Sequence, residues 1–137
     1  MRLNRLGLLR FGKFTDRVVD LPRTRLDFHL IVGPNEAGKS TLRSAISELL
    51  FGIEAQTPFN FLHAYTDLRL SAVVEDGERT IDCQRVKRNK QSLRDANDEP
   101  LPDDALAAVL GGASREFFER MFGLDHGRLV AGGLAIL

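Results

Sequence analysis

The stretch "GPNEAGKST", Gly33 to Thr41, follows the apolar run "LDFHLIVG" without a spacer and constrains this chain more than any other feature. It fills the pattern Gly33-x-x-x-x-Gly38-Lys39-Ser40 of a phosphate-binding loop, Walker A. Such a loop needs a strand that delivers the chain to a tight turn and a helix whose N-terminal amides and dipole face the same spot. Gly33 and Gly38 permit the backbone geometry and leave the approach open. The backbone of Pro34, Asn35, Glu36 and Ala37 forms the rest of the anion nest. Lys39 would reach the β- and γ-phosphates, Ser40 would place its hydroxyl on Mg²⁺, and Thr41 would bond the α-phosphate. A mere glycine-rich turn explains the glycines but not Lys39-Ser40-Thr41. A nucleoside phosphate with Mg²⁺ is therefore the expected ligand.

The flanking pattern agrees with an α/β fold. "RLNRLGLLRFGKF" and "DRVVDLP" read as two strands joined at Gly12-Lys13. "LDFHLIVG" reads as a strand buried on both faces, with His29 a core histidine. After Gly38, Leu42, Ile46, Leu49 and Leu50 share one helical face, and Gly52 stops that helix. "LRLSAVVE-DG-ERTIDCQRVKR" reads as a hairpin around Asp76-Gly77. Asp103 or Asp104 opens a short helix over "DALAAVL" ended by Gly111-Gly112, and Ser114 caps another over "REFFERMF". The chain stops mid-pattern at "AGGLAIL", the expected look of one part of a larger unit.

Composition narrows the class. A length of 137 residues fits one domain with a real core, and 43% hydrophobic with 28% charged residues is the balance of a globular protein. Nineteen basic and nineteen acidic residues cancel, so net charge names no partner. No apolar run approaches the roughly 20 residues of a membrane span, and the N-terminus lacks a signal-peptide cleavage site. With a single cysteine, Cys83, there is no internal disulfide and no multi-cysteine zinc site. Cys83 alternates with apolar neighbours and reads as a buried thiol. A cytoplasmic location without membrane contact is expected.

One P-loop class and one candidate motif are excluded. A small GTPase needs Asn-Lys-x-Asp, whereas "NKQS", Asn89 to Ser92, ends in serine. "SAVVED", Ser71 to Asp76, imitates a Walker B strand, but Asp76-Gly77 turns the chain straight back, so Glu75 and Asp76 are not catalytic acids. No catalytic residue is assigned within the chain.

"LGLLRFGKFTD" followed by "HLIVGPNEAGKSTL" resembles the SMC/RecF/RecN/SbcC group of ABC-type ATPase heads, and most of all the SMC-like YhaN family. "FLHAYTDLRL" (Phe61 to Leu70) and "REFFERMFGLDHGRLVAGG" (Arg115 to Gly133) resemble segments of that family. The resemblance covers residues 1–137 and implies a P-loop NTPase half-head of the ABC type. A buried strand would lead into the P-loop helix, beside an antiparallel β-subdomain. The coiled coil and the C-terminal lobe, with signature motif and Walker B acid, would lie outside it. It implies ATP-driven homodimerisation of heads in DNA repair or metabolism, with DNA and a metallophosphoesterase-type nuclease as partners. It also places Arg10 and Leu62-His63 near the base or phosphates. The Q-loop falls near "FGLDHGRL", where Asp125 or His126 would replace the usual glutamine at Mg²⁺. His63 and His126 read equally well as loop residues. Glu36 stands where many such loops carry glycine. Repulsion from the triphosphate would turn its side chain outward, toward a partner head, to shape the loop or the interface.

The run "QRVKRNKQSLR" carries Arg85, Lys87, Arg88, Lys90 and Arg94 with no acid among them. It reads either as a solvated hairpin face or as a contact for DNA phosphates without sequence preference. Two other functional readings remain open. One is a self-contained P-loop kinase or phosphotransferase; the other is a non-hydrolysing, nucleotide-gated interaction module.

Overall fold

The computed structural model describes residues 1–123, 127, 129 and 130. Five strands, β1 (Arg2–Phe11), β2 (Phe14–Asp20), β3 (Arg69–Asp76), β4 (Arg79–Val86) and β5 (Leu93–Arg94), form one antiparallel sheet in the order β2-β1-β3-β4-β5. Two tight turns set its register. Gly12 at φ 58° closes the β1–β2 hairpin, pairing Phe11 with Phe14, and Gly77 at φ 58° closes β3–β4, pairing Asp76 with Arg79. Glycine suits both positions because the left-handed region costs it nothing.

The helix α1 (Lys39–Phe51) packs across one face of the sheet. Leu6, Leu8, Leu70, Ala72, Val74 and Cys83 from the strands meet Ala45, Leu49 and Leu50 from α1. Burial pushes the Cys83 thiol up to about 11, so it is a packing group rather than a nucleophile. Gly52 ends α1 as expected, donating its N–H to Glu48 O at 2.9 Å. A second helix, α2 (Arg115–Met121), starts where Ser114 Oγ accepts from Phe117 N, the expected cap. It docks on α1 through Ser47 Oγ donating to Glu119 Oε1 at 2.6 Å and through Phe51 against Phe118. None of the helices among the described residues is long and apolar enough to cross a membrane.

Two expectations fail here. Residues 103–112 form consecutive turns instead of a helix, although Leu106 and Val109 are buried as the apolar pattern requires. The bonds here are mostly i→i−3, from Ala105 N to Pro102 O, Ala107 N to Asp104 O and Gly111 N to Ala108 O, so the chain closes as successive turns rather than as an i→i−4 ladder.

The larger correction concerns residues 26–32. They form no regular secondary structure and lie outside the sheet, and Leu26, Phe28, Leu30 and Val32 are 86, 77, 76 and 78% exposed. A strand buried on both faces needs neighbouring strands and two covering layers. The described strands supply neither, since their sheet ends at β2 on one edge and β5 on the other. His29 is accordingly exposed, with Nε2 3.8 Å from Asp27 Oδ1, and is no core residue. The segment is nonetheless fixed at its start. Arg2 grips Asp27 through both carboxylate oxygens, at 2.8 and 2.9 Å from Nε, and bonds Leu21 O at 2.8 Å. That hydrogen-bonded guanidinium lowers the Asp27 pKa.

Candidate phosphate-binding site

The loop Gly33 to Gly38 leaves the exposed segment and turns directly into α1. Gly38 is the N-cap, at φ 104° and ψ 20°, a conformation strained for any residue with a side chain. A Cβ there would stand 2.4 Å from Phe14 Cζ, so Gly38 is required by space as well as by dihedral. Glu36 also sits in the left-handed region, at φ 67°. This answers why glycine is common at that position: the loop needs its dihedral, and Glu36 adopts it under strain.

The first turn of α1 has no side-chain cap and no acidic residue. Its free amides and the positive end of the helix dipole therefore face the cleft without a carboxylate to offset them. Lys39 Nζ donates to Pro34 O at 2.8 Å and also to Gly33 O, closing the loop on its own ammonium. Ser40 and Lys39 are exposed, and Thr41 is half-buried beside them. An incoming anion would find the ammonium, the amides and the hydroxyls converging from one side.

Residues on other elements complete the cleft. Besides Asn35, Glu36, Gly38, Lys39, Ser40 and Thr41, it is lined by Lys13 and Phe61. Lys13 lies in the β1–β2 turn and donates to Glu36 O, with its ammonium 5.6 Å from the Phe14 ring centroid. Neither Lys13 nor Phe61 was singled out by sequence pattern. The turn glycine at 12 marks the hairpin, but only the tertiary contact reveals that this hairpin leans on the loop. Pro34 and Ala37 belong to the loop; Ala37 N donates to Pro34 O at 3.2 Å.

The residues assigned through resemblance fall differently. Arg10 Nε donates to Asp67 O at 2.7 Å, bracing the 3₁₀ turn Tyr65–Asp67 rather than lining the cleft. His63 Nε2 lies 3.0 Å from both Phe14 O and Thr15 Oγ1. A carbonyl can only accept, so the Nε2–H tautomer ties this loop to the start of β2. Leu62 is 58% exposed next to Phe61. Asp125 and His126 lie outside the described residues.

The basic stretch divides. Arg85 is not a surface residue: it is 4% exposed and donates to Leu49 O, Leu50 O and Ser92 Oγ. Its side chain is spent on the C-terminal carbonyls of α1, and burial lowers its pKa. Lys87 lies 5.1 Å from the Tyr65 ring centroid and is half-buried, which leaves Arg88 and Lys90 exposed on the loop that follows β4.

Mg²⁺ suits the donors present. It is a hard cation that keeps several waters and takes few protein ligands, and Ser40 offers one exposed hydroxyl beside the anion site. No cluster of three or more His, Cys, Asp or Glu able to hold a metal occurs among the described residues. The metal's remaining ligands would be phosphate oxygens and water.

A family model described as "AAA domain" matches residues 1–137. A protein of Bacillus subtilis (strain 168) named "Uncharacterized protein YhaN" is 25% identical over 127 residues, covering 91% of this chain and 13% of that protein. The chain thus spans about an eighth of the relative's length. Both matches bear out the resemblance to YhaN-type, SMC-like ATPases.

Proposed function

The chain belongs to the AAA domain family, and we propose that it is the Walker A part of an SMC-like ATPase head that binds ATP with Mg²⁺. The observation that carries this reading is the cleft itself: Lys39, Ser40 and Thr41 open onto an uncapped helix N-terminus, with Lys13 leaning in from the hairpin. In this role Lys39 and Lys13 exchange their loop carbonyls for phosphate oxygens. Ser40 holds the magnesium ion, which neutralises charge on the β- and γ-phosphates when bound.

Hydrolysis requires groups from elsewhere in the protein. Among the described residues, Glu36 is the one acidic residue lining the cleft. Glu75, at the end of the strand that imitates Walker B, instead pairs with Arg23 at 2.6 Å. A self-contained kinase is correspondingly disfavoured. The row of exposed side chains at 26, 28, 30 and 32 fits a strand completed by a second lobe. ATP-driven pairing of heads, coiled coils, a nuclease partner and a role on DNA belong to the same proposal, with Arg88 and Lys90 the basic groups free to meet phosphates.

The test is a titration of ATP with and without Mg²⁺, alongside Lys39→Ala and a GTP control. We expect Mg²⁺-dependent ATP binding that weakens at least about tenfold in the variant. Turnover by residues 1–137 alone should be negligible. Binding indifferent to Lys39→Ala would refute the reading, and rapid turnover by this segment alone would restore the kinase.

A further inference from the structure

An exposed phenylalanine is by itself ordinary. Phe61 differs in being held in place while its ring stays bare. It is 71% exposed, yet the chain is anchored two residues before it and two residues after it. On one side Phe59 stacks on Phe11 with centroids 4.6 Å apart, and Phe59 O accepts from Gly12 N at 2.9 Å. On the other side His63 Nε2 bonds the start of β2. The loop therefore presents Phe61 at the rim of the phosphate cleft at little further ordering cost.

Its position along the cleft matters more. A nucleotide runs from γ- to α-phosphate and then to ribose and base, so the base lies beyond the residue that meets the α-phosphate. Thr41 is that residue. The Cβ position on Gly12 is 3.0 Å from Thr41 Cγ2 and 3.9 Å from Phe61 Cζ, so both groups border one point above the hairpin turn. Among the described residues, the polar groups lining the cleft belong to the loop, to the first turn of α1, or to Lys13. The apolar aromatic face is on the Thr41 side.

From this juxtaposition we infer that Phe61 is the base platform of the nucleotide site, stacking on the ring system of a purine nucleotide whose phosphates lie on Lys39 and Thr41. This rests on the nucleotide-binding reading above and deepens it. An aromatic face holds any base, and the larger purine gains more contact than a pyrimidine. The site accordingly prefers ATP to CTP, and the preference resides in Phe61.

The experiment compares ATP, CTP and inorganic tripolyphosphate, each with Mg²⁺, by calorimetry on the full-length protein. Four forms are used: wild type, Phe61→Ala, Phe61→Trp and Lys39→Ala. Phe61→Ala should weaken ATP roughly 5- to 100-fold, erase most of the ATP-over-CTP preference, and leave tripolyphosphate within about twofold. Phe61→Trp should restore ATP. Since the ring is exposed, neither substitution removes core packing, and unchanged tripolyphosphate binding reports that the loop is intact. Equal loss of ATP and tripolyphosphate in Phe61→Ala would overturn the platform, as would no loss of either, the result expected if the ring instead meets another part of the protein. Lys39→Ala must weaken all three ligands; if it weakens none, the nucleotide reading fails, and this inference fails with it.

Discussion

Arg85 Nε donates to Leu49 O at 2.8 Å, and its NH2 reaches Leu50 O at 3.1 Å, so one strand residue closes the C-terminal turn of the helix that begins at the phosphate loop. The carbonyls at a helix end carry partial negative charge, and a buried guanidinium there is a favourable counterpart. The third bond, from NH1 to Ser92 Oγ at 2.9 Å, secures the chain just before β5.

Arg85→Ala is accordingly expected to lower stability by about 2–4 kcal/mol, since it orphans two buried carbonyls and opens a void beside α1. Arg85→Lys should recover only part, because a single ammonium cannot serve acceptors spread over the guanidinium fork. Urea denaturation of the three forms gives the comparison. Arg88→Ala, on the exposed loop, should move the midpoint by less than about 0.5 kcal/mol equivalent. An Arg85→Ala protein as stable as wild type would remove the capping role.

How much of this could be read from the chain depends on whether each signal was local. The hairpins at Gly12 and Gly77, the Ser114 cap and the apolar face of α1 are set by residues within a turn or two, and the structure reproduces them. Arg85 was legible in principle. Cys83 and Arg85 alternate on β4, and that period places Arg85 on the core face whatever its charge. Counting its basic neighbours obscured the alternation. The segment 26–32 was misplaced for the opposite reason. Its apolar run reads as a strand, but pairing and burial are properties of partners, and the described strands pair without it. Within the candidate site, the turn from Gly33 into the helix at Lys39 was legible because its glycines and the apolar period of α1 are local signals. Lys13 and Phe61 were not, since both arrive through folding of distant segments.

Glu48 gives a prediction in pH. It lies in the last turn of α1 at 4% exposure; Oε1 accepts from Thr57 Oγ1 at 3.2 Å and Oε2 has no hydrogen-bond partner among the described residues. Burial pushes its carboxyl up to about 7, against which the Thr57 bond works only in part. The folded protein thus binds this proton more tightly than the unfolded chain. Its contribution is most favourable below the unfolded value near 4.5 and declines as pH rises through about 7. Unfolding free energies of wild type and Glu48→Gln, measured from pH 5 to 8, should diverge. Wild type loses on the order of 2–3 kcal/mol relative to the variant across that range. Parallel curves would show that the carboxylate is already ionised when buried.

Glu36 separates strain from charge. Its φ of 67° costs a non-glycine residue about 1 kcal/mol, and Glu36 is an exposed acidic residue lining the cleft where triphosphate is proposed to bind. Glu36→Gly removes both liabilities, whereas Glu36→Ala removes the charge and keeps the strained dihedral. We expect the glycine variant to be more stable than the alanine variant by up to about 1 kcal/mol, the gain being reduced by the greater freedom of glycine in the unfolded chain. ATP affinity should rise similarly in both, by a few-fold at low salt and less at high salt, because screening weakens the repulsion between exposed charges. The measurements are thermal unfolding and ATP titration at two ionic strengths. If Glu36→Gly gains affinity while Glu36→Ala does not, loop shape rather than charge controls the site. If both variants lose affinity, the carboxylate is a positive part of the nucleotide site, helping to order the metal's water shell, and the repulsion argument is wrong.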